Sequence, residues 1–190
     1  MGFLDVLLGR TKPVPPNLDV LFTIPAAALT LQAALDLRPT GAGAVSFKRA
    51  EGAGAKQSED EILGLLHLDA TMTTDVTTDE FGFTWITCRQ QDPDPAALVT
   101  ALHAINTTLS DNGFGPSLLC TVIGFTRDGS PGRLGLVYLF KRGTFYPFAP
   151  TGPQRRDNNL ELQTRAALSG ELPIEAELER WFPLWNAPVP

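Results

Sequence analysis

Two uncharged, strand-length runs constrain this chain more than any other feature in it. Residues 134–140 read Leu-Gly-Leu-Val-Tyr-Leu-Phe, rich in strand formers and too short for a stable isolated helix. Residues 118–125 have the same character, with Leu118, Val122, Ile123 and Phe125. Neither run alternates apolar with polar residues, so each is predicted to be a strand buried on both faces. Asp128-Gly129 and Pro131-Gly132 supply turn chemistry between them. A connection of about seven residues then makes 118–125 and 133–140 adjacent antiparallel strands at the centre of a sheet. Helices are expected over at least one face of that sheet.

Elsewhere the pattern alternates helices with strands. Asn17 is placed to cap a helix from Leu18, Pro25 suits the first turn of a second helix over 26–35, and 38–41 reads as the turn that closes it. Residues 43–49 alternate Val45 and Phe47 with Ser46 and Lys48, as a half-exposed strand does. Ser58 and Glu61 form a capping box for a helix to Leu68, and 71–78 with 83–89 form a hairpin around Trp85. Asp94-Pro95 opens a helix whose buried stripe is Leu98, Leu102, Ile105 and Leu109, and Gly113 closes it. A further helix follows Asp157 or Asn158. A short one is predicted over 174–181, with Ile174, Leu178 and Trp181 inward and Glu175, Glu177 and Glu179 outward. The expected architecture is a single α+β domain over 17–190, with an antiparallel sheet of about five strands packed against helices. Its element order resembles the type III secretion chaperone-like fold.

The first ten residues set Phe3, Leu4, Leu7 and Leu8 on one helical stripe, and the proline-rich 11–16 forms a stiff spacer behind them. A helix that short is marginal alone, so it must dock. Amphipathicity leaves open whether it docks on its own domain, on a membrane surface or on a partner helix.

A basic-aromatic turn follows the strand at 134–140. Lys141 and Arg142 are succeeded by Phe145, Tyr146 and Phe148 around Pro147, with Arg155 and Arg156 a few residues on. So many rings on a loop call for a surface to pack or bind against, and the cations beside them suit an acidic, amphipathic helical partner. The alternative is that the rings cap the sheet and the charges are simply solvated.

The charge balance, 15 Lys and Arg against 21 Asp and Glu, gives a net −6 and argues against nonspecific nucleic-acid binding. Cys88 and Cys120 each sit in an apolar run without a Cys-x-x-Cys, and are expected to be reduced core residues in a reducing cytoplasm. His67 and His103 both have ordinary places on helices, with no second histidine at a metal-ligand spacing. No nucleophile–base motif stands out, so no enzyme activity, metal or cofactor is expected.

Several stretches together resemble the PspA-associated protein B family. They are the opening 1–13, the hairpin Phe81-Gly-Phe-Thr-Trp85, Asp111-Asn-Gly-Phe-Gly-Pro116, the run 136–150, Arg156-Asp-Asn158 and Arg180-Trp-Phe-Pro183. The resemblance spans nearly the whole chain, with Lys-Arg-Gly-Thr-Phe-Tyr-Pro-Phe its most specific part. It implies a cytoplasmic, non-enzymatic accessory of the phage-shock envelope-stress system, acting with PspA, a coiled-coil membrane-remodelling protein. Peripheral contact with the inner face of the membrane and a homodimer stay open. The alternative is an independent peptide-binding or chaperone-type adaptor with another client.

Overall fold

The computed structural model describes residues 17–48, 72–127 and 132–190, together with Gly64. The stripe at 3–8, the helix predicted at 58–68 apart from Gly64, and His67 therefore lie outside the described residues. Six strands form one antiparallel sheet in the order β2-β3-β1-β4-β5-β6. They are β1 (Leu37–Lys48), β2 (Met72–Thr78), β3 (Phe83–Gln90), β4 (Leu118–Arg127), β5 (Arg133–Leu139) and β6 (Thr144–Phe148). A two-stranded ribbon of β7 (Pro150–Gly152) and β8 (Arg155–Arg156) follows. Among the described residues three helices with defined bounds accompany them: α1 (Ile24–Leu35), α2 (Pro95–Leu109) and α3 (Asn158–Leu168). The α+β expectation holds, and the two runs that dominate the sequence are β4 and β5, paired in register from Cys120–Leu139 to Thr126–Arg133.

Each helix begins where its sequence provides an acceptor or a proline. The Asp94 carboxylate accepts from the Ala96 and Ala97 amides ahead of Pro95, and the Asp157 carboxylate accepts from the Leu160 amide. Asp36, with φ of 54°, ends α1 in the left-handed conformation, and the chain turns directly into β1. A 3₁₀ turn over Leu18–Thr23 runs straight into α1. Together they make an 18-residue stretch long and apolar enough to cross a membrane by composition. In this fold Leu21, Ile24, Ala27 and Leu31 of that stretch are fully buried against the sheet. Phe22 and Leu29 of the same stretch are exposed.

The strand expected to be half-exposed differs most from its prediction. β1 is a central strand, hydrogen-bonded to β3 on one side and β4 on the other, and it absorbs residues 38–41 through a bulge between Pro39 and Gly43. Its alternation separates two cores and not a core from solvent. Val45 and Phe47 face the helices, while Ala42 and Ala44 face the other side. A second bulge, where Ser46 pairs with Cys120 but Phe47 pairs with Leu118, sends Leu118 to the helix side and Cys120 to the opposite side.

Among the described residues no helix covers that opposite side. The residues after α3 cross it in extended form, and the short helix predicted over 174–181 is reduced to a 3₁₀ turn at Leu178–Arg180. Ile174 instead forms an isolated parallel bridge with Phe145 of the edge strand β6. We call residues 171–190 the strap.

Candidate functional site

The basic-aromatic stretch starts from a tight turn. The amides of Arg142 and Gly143 both donate to the Leu139 carbonyl, and Gly143 takes φ of 68°, a conformation that glycine adopts without strain. Beyond the turn the aromatic residues are strand, not loop. Phe145, Tyr146 and Phe148 lie in β6 and are 0–1% exposed. Phe145 points to the helix side and packs on Tyr138, with ring centroids 5.1 Å apart. Tyr146 and Phe148 point to the strap side, against Trp181 and Trp185. The free aromatic surface read from the sequence is therefore corrected: β pairing with β5 divides the rings between two cores, and the chain covers its own rings.

Two of the four predicted cations are likewise engaged. Arg142 Nε lies 2.9 Å and Nη2 3.2 Å from the Glu175 carboxylate, which also accepts from Thr144 Oγ1 at 2.9 Å. Glu175 was expected to face outward but is 1% exposed, because the strap is extended where a helix was predicted. Burial alone pushes its carboxyl upward in pKa; bonds from Arg142, the Glu177 amide and Thr144, with the charge of Arg142, outweigh this and hold it below the usual carboxylate value. Arg156 likewise pairs with a buried glutamate, its Nε 2.8 and 2.9 Å from the two oxygens of Glu161. Its Nη1 donates to the Trp181 carbonyl, and its guanidinium lies 5.3 Å from the Phe148 ring centre. Lys141 and Arg155 remain exposed. The sequence missed Glu161 and Glu175, whose only signal was an excess of arginine and glutamate in neighbouring segments.

These bonds fasten the strap across the second core, which gathers Trp85, Cys120, Val122, Val137, Tyr146 and Phe148 under Trp181 and Val189. Other fastenings are Tyr146 Oη to the Phe182 carbonyl at 2.8 Å, Arg89 Nη2 to the Pro188 carbonyl at 2.9 Å and Asn186 Nδ2 to Glu80 at 3.2 Å. The end of the strap fits because Gly124 and Gly135 face each other across β4 and β5. A Cβ at Gly124 would stand 3.0 Å from Val189 Cγ1, and one at Gly135 would stand 3.1 Å from Pro190 Cδ. His103 packs on its own domain, its ring 4.7 Å from that of Phe22 and its Nε2 3.3 Å from Asp19.

Where the strap passes the β2–β3 turn and the β7–β8 ribbon, a groove of about 730 Å³ opens. Phe81, Pro150, Leu184 and Trp185 give it apolar walls, and Arg127 and Arg133 contribute cations at the β4 and β5 ends. Its two carboxylates both serve the fold, Glu80 accepting from Asn186 and Asp157 capping α3. Phe81 is 66% exposed beside it. Its turn is rigid, because Asp79 accepts from the Phe81 and Phe83 amides and from the Trp85 indole. A fixed, exposed aromatic ring on a groove with arginines can anchor the apolar face of a helix that carries acidic residues at its margin.

A family model described as PspA associated protein B matches residues 1–189. No curated protein and no solved structure matches the chain.

Proposed function

The chain belongs to the PspA associated protein B family, and from that premise we propose that it is a non-enzymatic accessory protein that binds PspA or a related partner during envelope stress. Binding is assigned to the groove beside Phe81 and Trp185, and the occupant is one acidic, amphipathic helix of a coiled-coil partner. The observation that carries this reading is the exposed Phe81 ring, held by the Asp79 bonds over a groove edged by Arg127 and Arg133. An aromatic anchor supplies desolvated contact area, and the arginines steer an acidic helix into register. The site of action on this reading is the cytoplasm, with peripheral contact at the inner face of the membrane reached through the partner or through residues 1–10.

The test is co-purification of tagged protein with a PspA-type partner from its own cells, comparing wild type with Phe81→Ala and Arg133→Glu. Both side chains are exposed, so the variants should keep their circular dichroism spectrum and thermal midpoint. Loss of the partner by both, with weakening of the wild-type complex as salt rises, supports the reading. Full retention by both folded variants overturns the groove assignment. Recovery of an unrelated client in place of a PspA-type protein favours the adaptor alternative.

A further inference from the structure

We propose that the sheet face beneath the strap is itself an interaction surface, which residues 173–190 occupy in cis and which accepts an extended apolar segment bearing a carboxylate opposite Arg142. The strap meets the sheet more as a ligand meets a receptor than as a strand meets its neighbour. Its backbone pairing with the sheet amounts to one bridge, from the Phe145 amide to the Pro173 carbonyl and from the Glu175 amide to the Phe145 carbonyl. The other fastenings are separate points: Glu175 on Arg142 and Thr144, Glu177 on Arg142, Asn186 on Glu80, and three strap carbonyls receiving Arg156, Tyr146 and Arg89. Trp181 and Val189, both buried, supply the centre of the apolar part, with Ile174, Leu184, Trp185 and Ala187 partly buried around them.

A segment held this way opens at lower cost than a sheet paired along every strand and covered by helices. The face it leaves, with Val122, Val137, Tyr146 and Phe148 and the smooth Gly124–Gly135 track, is apolar and continuous. Exposed faces of that kind mark interaction sites. The strap defines what fits: an extended chain, because the glycine track admits backbone close to the sheet; large apolar side chains; and an acid for Arg142. This inference goes beyond the groove reading and does not depend on it.

The two cysteines make it measurable. Cys120 lies in the core that the strap closes, and Cys88 lies in the helix-covered core, so global unfolding exposes both while strap release exposes Cys120 alone. In the full-length wild type, maleimide labelling followed by mass spectrometry should modify Cys120 at least tenfold faster than Cys88. Glu175→Gln loosens the strap while leaving Arg142 in place. A synthetic peptide of residues 171–190 should then bind this variant at least tenfold more tightly than wild type and slow the labelling of Cys120. Equal labelling rates of the two thiols in wild type overturn the proposal, and this reading does not depend on how the variant folds. Absence of peptide binding to a variant whose Cys120 labels rapidly overturns it as well.

Discussion

Arg142 and Glu175 stand 33 residues apart in sequence and 2.9 Å apart in space, and their pairing changes what the basic-aromatic stretch is for. Arg142 supplies the charge that lets a glutamate of the strap sit at 2% side-chain exposure. Lys141, its neighbour, projects from the same turn into solvent.

Adjacent cations should therefore behave in opposite ways. Arg142→Glu sets a second negative charge against the buried Glu175 and should lower the thermal midpoint by several degrees, whereas Lys141→Glu should leave it within experimental error. Thermal denaturation followed by circular dichroism decides this, and equal midpoints for the two variants would remove the latch from the account. Loss of a partner by an Arg142 variant is then no evidence of direct contact, so the patch is better tested with Lys141→Glu and Arg155→Glu.

Acid should loosen the strap. A carboxylate whose folded pKa lies below its unfolded value contributes stability above that unfolded value, near ~4.3 for glutamate, and loses it as pH falls through the folded value. Glu175 is such a group, and the charges around it are Arg142, Glu177 at 3.7 Å from Arg142 and Arg180 on Glu177. All three tryptophans of the chain, Trp85, Trp181 and Trp185, pack in the strap-side core. Their emission should shift to the red below pH ~4 before far-ultraviolet ellipticity changes. Simultaneous loss of both signals in wild type, with no difference in Glu175→Gln, would leave the latch without a role in acid.

The glycine track should resist even one methyl group. A Cβ at residue 124 would stand 2.6 Å from Thr40 Oγ1 as well as against Val189, so Gly124→Ala should cost about 1–3 kcal/mol, as overpacked sites do. At Gly43 a Cβ would stand 2.7 Å from Leu102 Cδ1, a fully buried side chain, and 3.2 Å from the Val122 carbonyl oxygen. Gly43→Ala should therefore destabilise as well, and urea denaturation of both variants checks this.

Truncating the central indole should weaken the strap more than any rim change. Trp181 is 5% exposed, stacks on Tyr146 at 6.2 Å and donates from Nε1 to the Glu175 carbonyl. Trp181→Ala should cost about 3–5 kcal/mol, against less than about 0.5 kcal/mol for Phe81→Ala on the open groove. A small loss at Trp181 in chemical denaturation would mean that the second core contributes little to the fold.

The sheet was legible because β4 and β5 carry apolar residues on consecutive positions, which only a strand covered on both sides requires. What covers the second side was not legible. The spacing of Ile174, Leu178 and Trp181 fits a helical stripe, and the same residues as an extended strap place Ile174 and Trp181 inward and leave Leu178 52% exposed. Pro173 and Pro183 bracket that stretch, and in retrospect they favoured the extended reading. The aromatic stretch was taken as loop but is strand. Pro147 suggested a turn, yet it sits on edge strand β6, where a missing amide hydrogen is tolerated. The groove depends on three distant segments meeting, which no local pattern records.

The parity change at Leu119 bears on oxidation. By sending Cys120 to the strap side while Cys88 faces the helices, it places the two thiols in separate compartments. β1 runs between their strands, so their backbones are two strand spacings apart, about 9–10 Å, beyond the span of a disulfide. An oxidant that reaches the folded protein therefore cannot staple it to itself. Any disulfide found on the native chain would identify a second molecule, and the cysteine involved would tell which face that molecule had approached.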